Sequence, residues 1–368
     1  MTGGDGAMTG LTRSVRVGYG MGSVATGAFG TVPGLLLLPY LTDTLGVGAA
    51  AAGVIVFLPK AWDVVLNPIA GRISDRHVSP LGPRRPFLLR AGVALAVCFA
   101  LLFAGPSLGS VTADAAYVVL VFLACASAYA FFQVPFVAMP AEMTDSYDER
   151  TRLLSWRVAL LALAILLSGA LSPAIRDAVG GRDGYRAMGV FVALLILVGT
   201  IGSYVGTRRA PVGSVVAAGV SLTDQLRIVA RSRDFRLLLT TFVVQALAVG
   251  AMLAGVDYVA RHVLEQPGAA TILFVCFVGP ALLLTPVWAW WGARVGKKRG
   301  YLVSSCFLAA GALLLVGAAD FPAAVVYVAT ALVGVGYAGA QVFPRSMLPD
   351  TAAVDAVRSG ENRAGVFT

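Results

Sequence analysis

Charged residues are scarce in this sequence, and apolar residues are abundant. Of its 368 residues, 13% are charged and 58% are hydrophobic, whereas about 25% of the residues in a typical soluble domain are charged. This deficit excludes an ordinary soluble domain. Apolar runs of about 20 residues recur between short polar segments that contain arginine, and each run is long enough to cross a bilayer as a helix. The composition therefore predicts an all-α membrane protein.

Cysteine, histidine and the motifs of enzyme active sites are also nearly absent. The four cysteines, Cys98, Cys125, Cys276 and Cys306, lie inside apolar runs without metal-ligand spacing, and there are only two histidines. The sequence has no glycine-rich phosphate loop, pair of catalytic carboxylates or Ser/His/Asp constellation. We therefore expect no enzyme activity, no ATP-driven transport, no metal site and no cofactor.

Hydropathy and the distribution of basic residues predict the topology. Ten spans are predicted, near 17–42, 49–71, 87–106, 113–140, 153–175, 187–206, 237–260, 269–292, 301–319 and 322–344. With the N-terminus inside, 23 of the 28 Lys and Arg residues lie in inner segments, four lie in outer ones, and Lys60 lies within a span. The positive-inside rule therefore predicts a multi-pass protein of the cell membrane with a cytoplasmic N-terminus.

The same distribution accounts for the formal net charge of +9. Because the basic residues are spread over short inner loops, without interleaved aromatic residues in one domain, they predict contact with anionic membrane lipid rather than with nucleic acid. No obligate protein partner is evident.

The chain contains one internal repeat. The inner loop after the second span, GPRRPFLL from Gly82, matches GKKRGYLV from Gly296 after the eighth, at an offset of 214 residues. The end of the fourth span, QVPFVAMPAE from Gln133, matches QVFPRSMLPD from Gln341 in the tenth, at an offset of 208. Parallel half-repeats joined by an inner loop predict the major facilitator fold.

This symmetry predicts the domain organisation. A six-helix bundle is expected at 1–206, a cytoplasmic linker at 207–235, and a C-terminal bundle with four helices at 236–368. Because the first half has six spans, we expect the second half to be incomplete by about two spans. A protein with ten spans and no more is the alternative.

The second span contains the clearest functional pattern, KAWDVVLNPIAGRISDR from Lys60. Lys60, Asp63 and Asn67 share one helical face in an otherwise apolar stretch. A charged group at that depth costs at least about 2.5–3.5 kcal/mol unless it is paired or hydrated, so it must face the protein interior or a water-filled cavity. Burial favours the neutral form of a carboxyl group, so Asp63 could load and unload a proton. A structural Lys60–Asp63 ion pair is the alternative.

Further candidates lie on neighbouring spans. Gln133 and Arg157 could contribute hydrogen bonds and a positive charge to the same cavity, although Arg157 could also extend to the inner membrane surface. Trp62, Tyr40 and Phe136 could stack on a sugar ring or fill the core.

The inner loop after the second span predicts a conformational latch. An acid among several arginines can pair with neighbouring helix ends in one transport state and separate in the other. The latch residues are Arg72, Asp75, Arg76, Arg84 and Arg85. The segment AEMTDSYDERTR, 141–152, lies on the same side and could supply partners. Topology signalling alone is the other interpretation.

Several of these segments together resemble the glycoside-pentoside-hexuronide:cation symporter family, which includes melibiose permease. The segments are YGMGSVATG from Tyr19, PYLTDTLG from Pro39, KAWDVVLNPIAG, GPRRPFLL, and VPFVAMPAEMTDSYDERTRLLSWR from Val134. The resemblance covers the first half well and the second half weakly. In the sugar permeases of that family, acids of the first, second and fourth helices bind sugar and Na⁺, with basic residues nearby on the second and fifth helices.

The resemblance implies roles for individual residues. Asp63 matches the first acid of the second helix, Lys60 stands where a basic residue is usual, and Arg157 matches the arginine of the fifth helix. Three acids of the family are replaced, by Gly27 in the first helix, Asn67 in the second and Gln133 in the fourth. A single carboxylate supplies few hard oxygen ligands, so the resemblance favours H⁺ over Na⁺ as the coupling ion.

The sequence thus predicts a secondary transporter, a proton-coupled symporter of a sugar, glycoside or related small solute. Asp63 and Asn67 are assigned to coupling, and Lys60, Trp62, Gln133, Arg157 and Tyr40 to solute binding. Two alternatives remain: an exporter of an amphipathic or drug-like solute, and a membrane sensor or interaction protein that does not transport.

Overall fold

The computed structural model describes residues 11–77, 79, 82, 84–144, 146–211, 233–266 and 268–359, without the side chains of Tyr147, 233–235, Arg345 and 348–359. Every element in this part of the chain is helical. The helices are α1 (Arg13–Pro39), α2 (Ala49–Arg76), α3 (Arg85–Ala104), α4 (Val111–Met143), α5 (Tyr147–Val179), α6 (Gly181–Thr207), α7 (Arg233–Tyr258), α8 (Ala269–Val295), α9 (Lys297–Val316) and α10 (Ala323–Ser359).

The predicted spans are confirmed. Ten helices in the described part of the chain are long and apolar enough to cross a membrane, so the protein is a multi-pass membrane protein. The helices begin and end within several residues of the predicted spans, except that α10 continues to Ser359. Side-chain caps fix some of the ends: the hydroxyl groups of Thr12 and Ser110 accept hydrogen bonds from Val15 N and Ala113 N.

The repeat extends to two π-helical segments that hydropathy does not predict. Tyr40–Thr44 continues α1, and Val259–Leu264 continues α7. The first and seventh helices occupy equivalent places in the two halves, so both halves carry the same irregularity at the same end of the equivalent helix. A π-helical turn is rare and often marks a functional part of a helix.

Contacts between residues divide the chain into two compact units, 1–217 and 218–368, here called the N-terminal and C-terminal units. The predicted bundle and linker boundaries stay predictions, and residues 212–232 of the predicted linker lie outside the described residues. In the N-terminal unit, α1 packs against α5 and α6, α3 packs against α6 and α4, and α2 packs against α4. In the C-terminal unit, α10 packs against α9 and α8.

A pair of glycines allows α1 and α6 to approach closely. A Cβ atom added at Gly18 would collide with the backbone of Gly206, and a Cβ atom at Gly206 would collide with Gly18. Small residues at helix crossings are a common way for membrane helices to gain van der Waals contact.

We expect Gly18→Ala to destabilise the protein by about 1–3 kcal/mol, because the added methyl group overpacks the α1–α6 crossing. The control is Gly30→Ala in the same helix, where a Cβ atom would meet nothing within 4 Å and alanine favours the helix by about 0.5–1 kcal/mol. Unfolding of the purified variants in mixed detergent micelles measures both effects. Equal stability of the two variants would contradict the packing described here.

Candidate functional site

The predicted charged face of α2 is present. Lys60 Nζ lies 3.9 Å from Asp63 Oδ2, and the Lys60 side chain is 70% exposed on the N-terminal unit while that of Asp63 is only 20% exposed. The second carboxylate oxygen, Asp63 Oδ1, is buried and has no hydrogen-bond partner among the described residues. Asn67 is exposed one turn further along the same helix. The Lys60–Asp63 contact therefore satisfies only part of the carboxylate.

Trp62 connects α2 to α4. Its indole Nε1 donates a hydrogen bond of 3.0 Å to Ser127 Oγ, and Ser127 in turn donates to the Leu123 carbonyl oxygen. The Trp62 ring remains 40% exposed. One edge of the indole thus holds two helices together while part of the ring faces outward beside Lys60 and Asp63.

Helix α4 presents Tyr129, Gln133 and Phe136 on one face, as their spacing of four and three residues requires. The Tyr129 phenol group interacts electrostatically with Asp63 and with Arg157. Gln133 Oε1 is buried and has no hydrogen-bond partner among the described residues. An acceptor oxygen therefore lies one helical turn from a phenol group that is near both Asp63 and Arg157.

Arg157 of α5 completes the group. Its guanidinium lies 5.5 Å from the centroid of the Phe136 ring and near the buried hydroxyl group of Tyr19 on α1, which has no hydrogen-bond partner among the described residues. The Tyr19 and Phe136 rings are stacked, with centroids 4.7 Å apart. A cation over an aromatic face is stabilised by the ring quadrupole.

These side chains form one set, called here the polar cluster: Tyr19, Asp63, Tyr129, Gln133 and Arg157. It runs across four helices of the N-terminal unit and brings together one carboxyl group, one guanidinium group, two phenol groups and one amide group. Asp63, Gln133 and Arg157 were predicted from the sequence, whereas Tyr19 and Tyr129 were not. A group that can change its protonation state is thereby placed beside groups that can donate hydrogen bonds to a solute.

Tyr40 is not part of this cluster. It begins the π-helical segment, is 1% exposed, and packs between Phe103 and Tyr185, with ring centroids at 5.3 and 4.8 Å. Its role in solute binding stays a prediction: its ring packs in the core, and its hydroxyl group lies near Arg182 and Asp114.

The predicted latch is centred on Arg84, which is buried. Its guanidinium donates to three side chains, with distances of 2.6 Å to Asp75 Oδ1, 2.7 Å to Glu142 Oε1 and 2.6 Å to Ser74 Oγ. Glu142 belongs to the segment that the sequence suggested as a source of partners. Arg84 therefore links the end of α2, the start of α3 and the end of α4.

The other arginines of the latch differ from Arg84. Arg85 is buried and donates to the carbonyl oxygens of Ala210 and Pro211 just beyond α6, whereas Arg72 and Arg76 are exposed. A second contact on the same side joins α1 to α5: Arg16 donates to both carboxylate oxygens of Glu149, at 2.9 and 3.1 Å. Whether these contacts open during transport stays a prediction.

The C-terminal unit contains a charged pair that the sequence did not indicate. Asp257, which is fully buried, forms an ion pair with Arg261 one turn later, at the junction of α7 and its π-helical segment. For metals, the described residues contain no group of three or more His, Cys, Asp or Glu side chains that could hold an ion.

Comparison with known protein families gives one match over nearly the whole chain. The sequence model of the family described as "MFS/sugar transport protein" matches residues 18–368.

The individual relatives include carriers and symporters. The chain is 27% identical over 326 residues to a glucuronide carrier protein homolog of Escherichia coli, covering 87% of this chain and 71% of that protein. It is 23% identical over 367 residues to the sodium-dependent lysophosphatidylcholine symporter 1 of Mus musculus, covering 90% and 68%. Against two further bacterial relatives, the chain spans only 58% and 41% of their length.

Solved structures with the same fold are also transporters. A nucleoside transporter, NupG, superimposes with a TM-score of 0.68 at 13% identity, covering 96% of this chain and 87% of that one. A D-xylose-proton symporter superimposes with a TM-score of 0.67 at 15% identity, covering 96% and 88%. At these identities the likeness establishes the fold alone.

Proposed function

The chain belongs to the MFS/sugar transport protein family, and from this membership we propose that it is a proton-coupled symporter of a sugar or glycoside. Membership confirms the predicted resemblance to the glycoside-pentoside-hexuronide:cation symporters and the prediction of a major facilitator fold. The solute crosses the cell membrane by alternating access of a site to the two sides. Transporters of this family are not enzymes, and most of the relatives' names favour symport over the exporter and sensor alternatives, with one relative named as an exporter.

One observation carries the proposal: Asp63 is a carboxylate inside a membrane-spanning helix with one oxygen paired to Lys60 and the other buried without a hydrogen-bond partner among the described residues. A purely structural ion pair is stabilised by satisfying both oxygens. A half-satisfied carboxylate at this depth is costly to keep charged, and it is a reasonable place for a proton to bind and leave.

The small number of oxygen ligands near Asp63 supports H⁺ rather than Na⁺ as the coupling ion. A Na⁺ site needs several oxygen ligands arranged around the ion, as hard cations generally do. In the described part of the polar cluster, Asp63 is the only carboxylate. The positive charges of Arg157 and Lys60 would repel a Na⁺ ion bound there. The relatives differ in this respect, since one is named as sodium-dependent and one structural neighbour as a proton symporter.

The basic residues support a cytoplasmic N-terminus. In the topology predicted from the sequence, most of the Lys and Arg residues lie on the same side as Arg16, Arg84 and Arg85, as the positive-inside rule requires of a cytoplasmic face.

The test is uptake into proteoliposomes that contain the native protein. Labelled methyl β-D-glucoside and methyl β-D-glucuronide serve as probes, with either an inward proton gradient or an inward Na⁺ gradient. We expect the proton gradient to drive accumulation of at least one probe, while a Na⁺ gradient of equal size gives only equilibration. Accumulation driven by Na⁺ alone would contradict proton coupling, and net export under both gradients would contradict symport.

A further inference from the structure

A small, half-open cavity lies in the C-terminal unit, between α7 and α10. Its volume is about 210 Å³. Its polar lining comes from three residues, Gln245 of α7 and Tyr337 and Gln341 of α10, and the rest of its described wall is apolar. The polar cluster of the N-terminal unit includes none of these residues.

A hydrogen bond from α9 orients one of the two amides. Tyr301 donates its hydroxyl hydrogen to Gln245 Oε1 at 2.8 Å. Because the carbonyl oxygen of the amide is engaged in this way, the two hydrogens of the Gln245 amide nitrogen remain to be donated elsewhere. The Tyr301 oxygen can itself accept a hydrogen bond. The pair thus presents both donors and an acceptor.

The repeat gives Gln341 a counterpart in the first half. Gln341 begins the segment QVFPRSMLPD and Gln133 begins QVPFVAMPAE, so each unit has a glutamine at the same place in the equivalent helix. Gln133 belongs to the polar cluster and Gln341 lines the cavity. Both halves therefore carry an amide side chain at the equivalent position of the equivalent helix.

The chemistry of the lining selects an uncharged ligand. The described residues that line the cavity carry no charge, so they offer an ion no counter-charge. A sugar hydroxyl is both a donor and an acceptor, as is an amide group. The cavity is smaller than the roughly 300–1,000 Å³ of sites that enclose drug-sized ligands, so it suits a single ring.

We propose that this cavity binds the hydroxyl groups of the uncharged sugar ring of the solute through Gln245 and Gln341, with Tyr301 as a positioning residue for Gln245. The inference rests on the proposed function. It assigns hydroxyl recognition to the C-terminal unit and leaves the coupling ion to the polar cluster of the N-terminal unit.

The test is equilibrium binding of labelled methyl β-D-glucoside to the purified native protein. We expect Gln341→Leu and Gln245→Leu each to raise the Kd about tenfold, because each removes hydrogen bonds to the ring hydroxyls. Tyr301→Phe should raise the Kd about threefold, and Gln245→Glu, which keeps the shape and still accepts from Tyr301, should raise it about tenfold. Thermal stability is measured on each variant.

Gln266→Leu is the matched control, since Gln266 is exposed and also accepts a tyrosine hydroxyl, from Tyr327 at 3.5 Å, but does not line the cavity. Its Kd should stay within about twofold of the wild-type value. Wild-type affinity in Gln245→Glu and Gln341→Leu, in protein that binds the glucoside, would overturn the inference and leave the proposed function standing. A wild-type protein that neither binds nor transports any glycoside would overturn the proposed substrate class and this inference with it.

Discussion

Asp63→Asn is expected to abolish accumulation of the solute against its gradient while preserving exchange of labelled for unlabelled solute. A driving force of about 100 mV is worth about 2.3 kcal/mol per charge, which supports an accumulation ratio of about fifty for one proton per solute. Asparagine has nearly the same shape as aspartate, but its amide group neither releases nor binds a proton at physiological pH. The ratio in cells that make the variant should therefore fall to about one.

A double variant separates coupling from charge pairing. If Asp63 serves only to neutralise Lys60, which lies 3.9 Å away, then Lys60→Met combined with Asp63→Asn should restore accumulation, because no unpaired charge remains. If Asp63 carries the proton, the double variant should stay at a ratio of about one. Asp43→Asn, in the π-helical segment after α1, is a control acid and should accumulate solute normally. Recovery in the double variant would show that the pair is structural.

Arg84→Gln is expected to destabilise the N-terminal unit by up to about 3–5 kcal/mol, because it removes the cation that pairs with the buried carboxylate of Glu142 and leaves Arg85 as the remaining cation near that carboxylate. The Arg84 side chain is 7% exposed and that of Glu142 is 11% exposed. Asp75 is 48% exposed, so its share of the effect is small. The free energy of unfolding of the purified protein in mixed micelles measures the loss.

Two comparisons test this assignment. Arg76→Gln, on an exposed arginine of the same predicted latch, should change the free energy of unfolding by less than about 1 kcal/mol. Adding Glu142→Gln to Arg84→Gln should recover a part of the stability, because the unpaired carboxylate is gone. Equal effects of Arg76→Gln and Arg84→Gln would contradict a central role for Arg84.

Hydropathy and charge predicted the fold well, since a bilayer requires about 20 apolar residues for each span and sorts arginines by side. Hydropathy and charge could not predict the π-helical segments after α1 and α7, because a change of hydrogen-bond register leaves the composition of the helix unchanged. They also gave no sign of the buried pair Asp257–Arg261, because charged residues at the end of the predicted seventh span are expected at a membrane boundary.

The candidate site could be predicted only in part. Periodicity on α2 was enough to find Lys60 and Asp63, because charged residues at one helical face of a span are unusual. Tyr129 was missed and Tyr40 was selected because hydropathy does not report the surroundings of an aromatic side chain. An aromatic residue in a span has the same hydropathy whether it meets an acid or fills the core, and only packing distinguishes the two.

The five latch residues show the same limit. Arg76 and Arg84 are equivalent in a sequence, yet Arg84 is buried against Asp75, Glu142 and Ser74 while Arg76 is exposed. Which arginine becomes the centre depends on how the ends of α2 and α4 approach the start of α3, and this is a property of the assembled bundle.

The most direct test of the central claim is to measure proton movement when solute is added. Cells that make the native protein are held without respiration in a lightly buffered medium, and methyl β-D-glucoside or methyl β-D-glucuronide is added while the external pH is recorded. We expect the medium to become more alkaline as the transported probe enters with protons, and we expect no pH change with Asp63→Asn. Entry of the probe without any change in pH, or equal alkalinisation with Asp63→Asn, would contradict proton-coupled symport through Asp63.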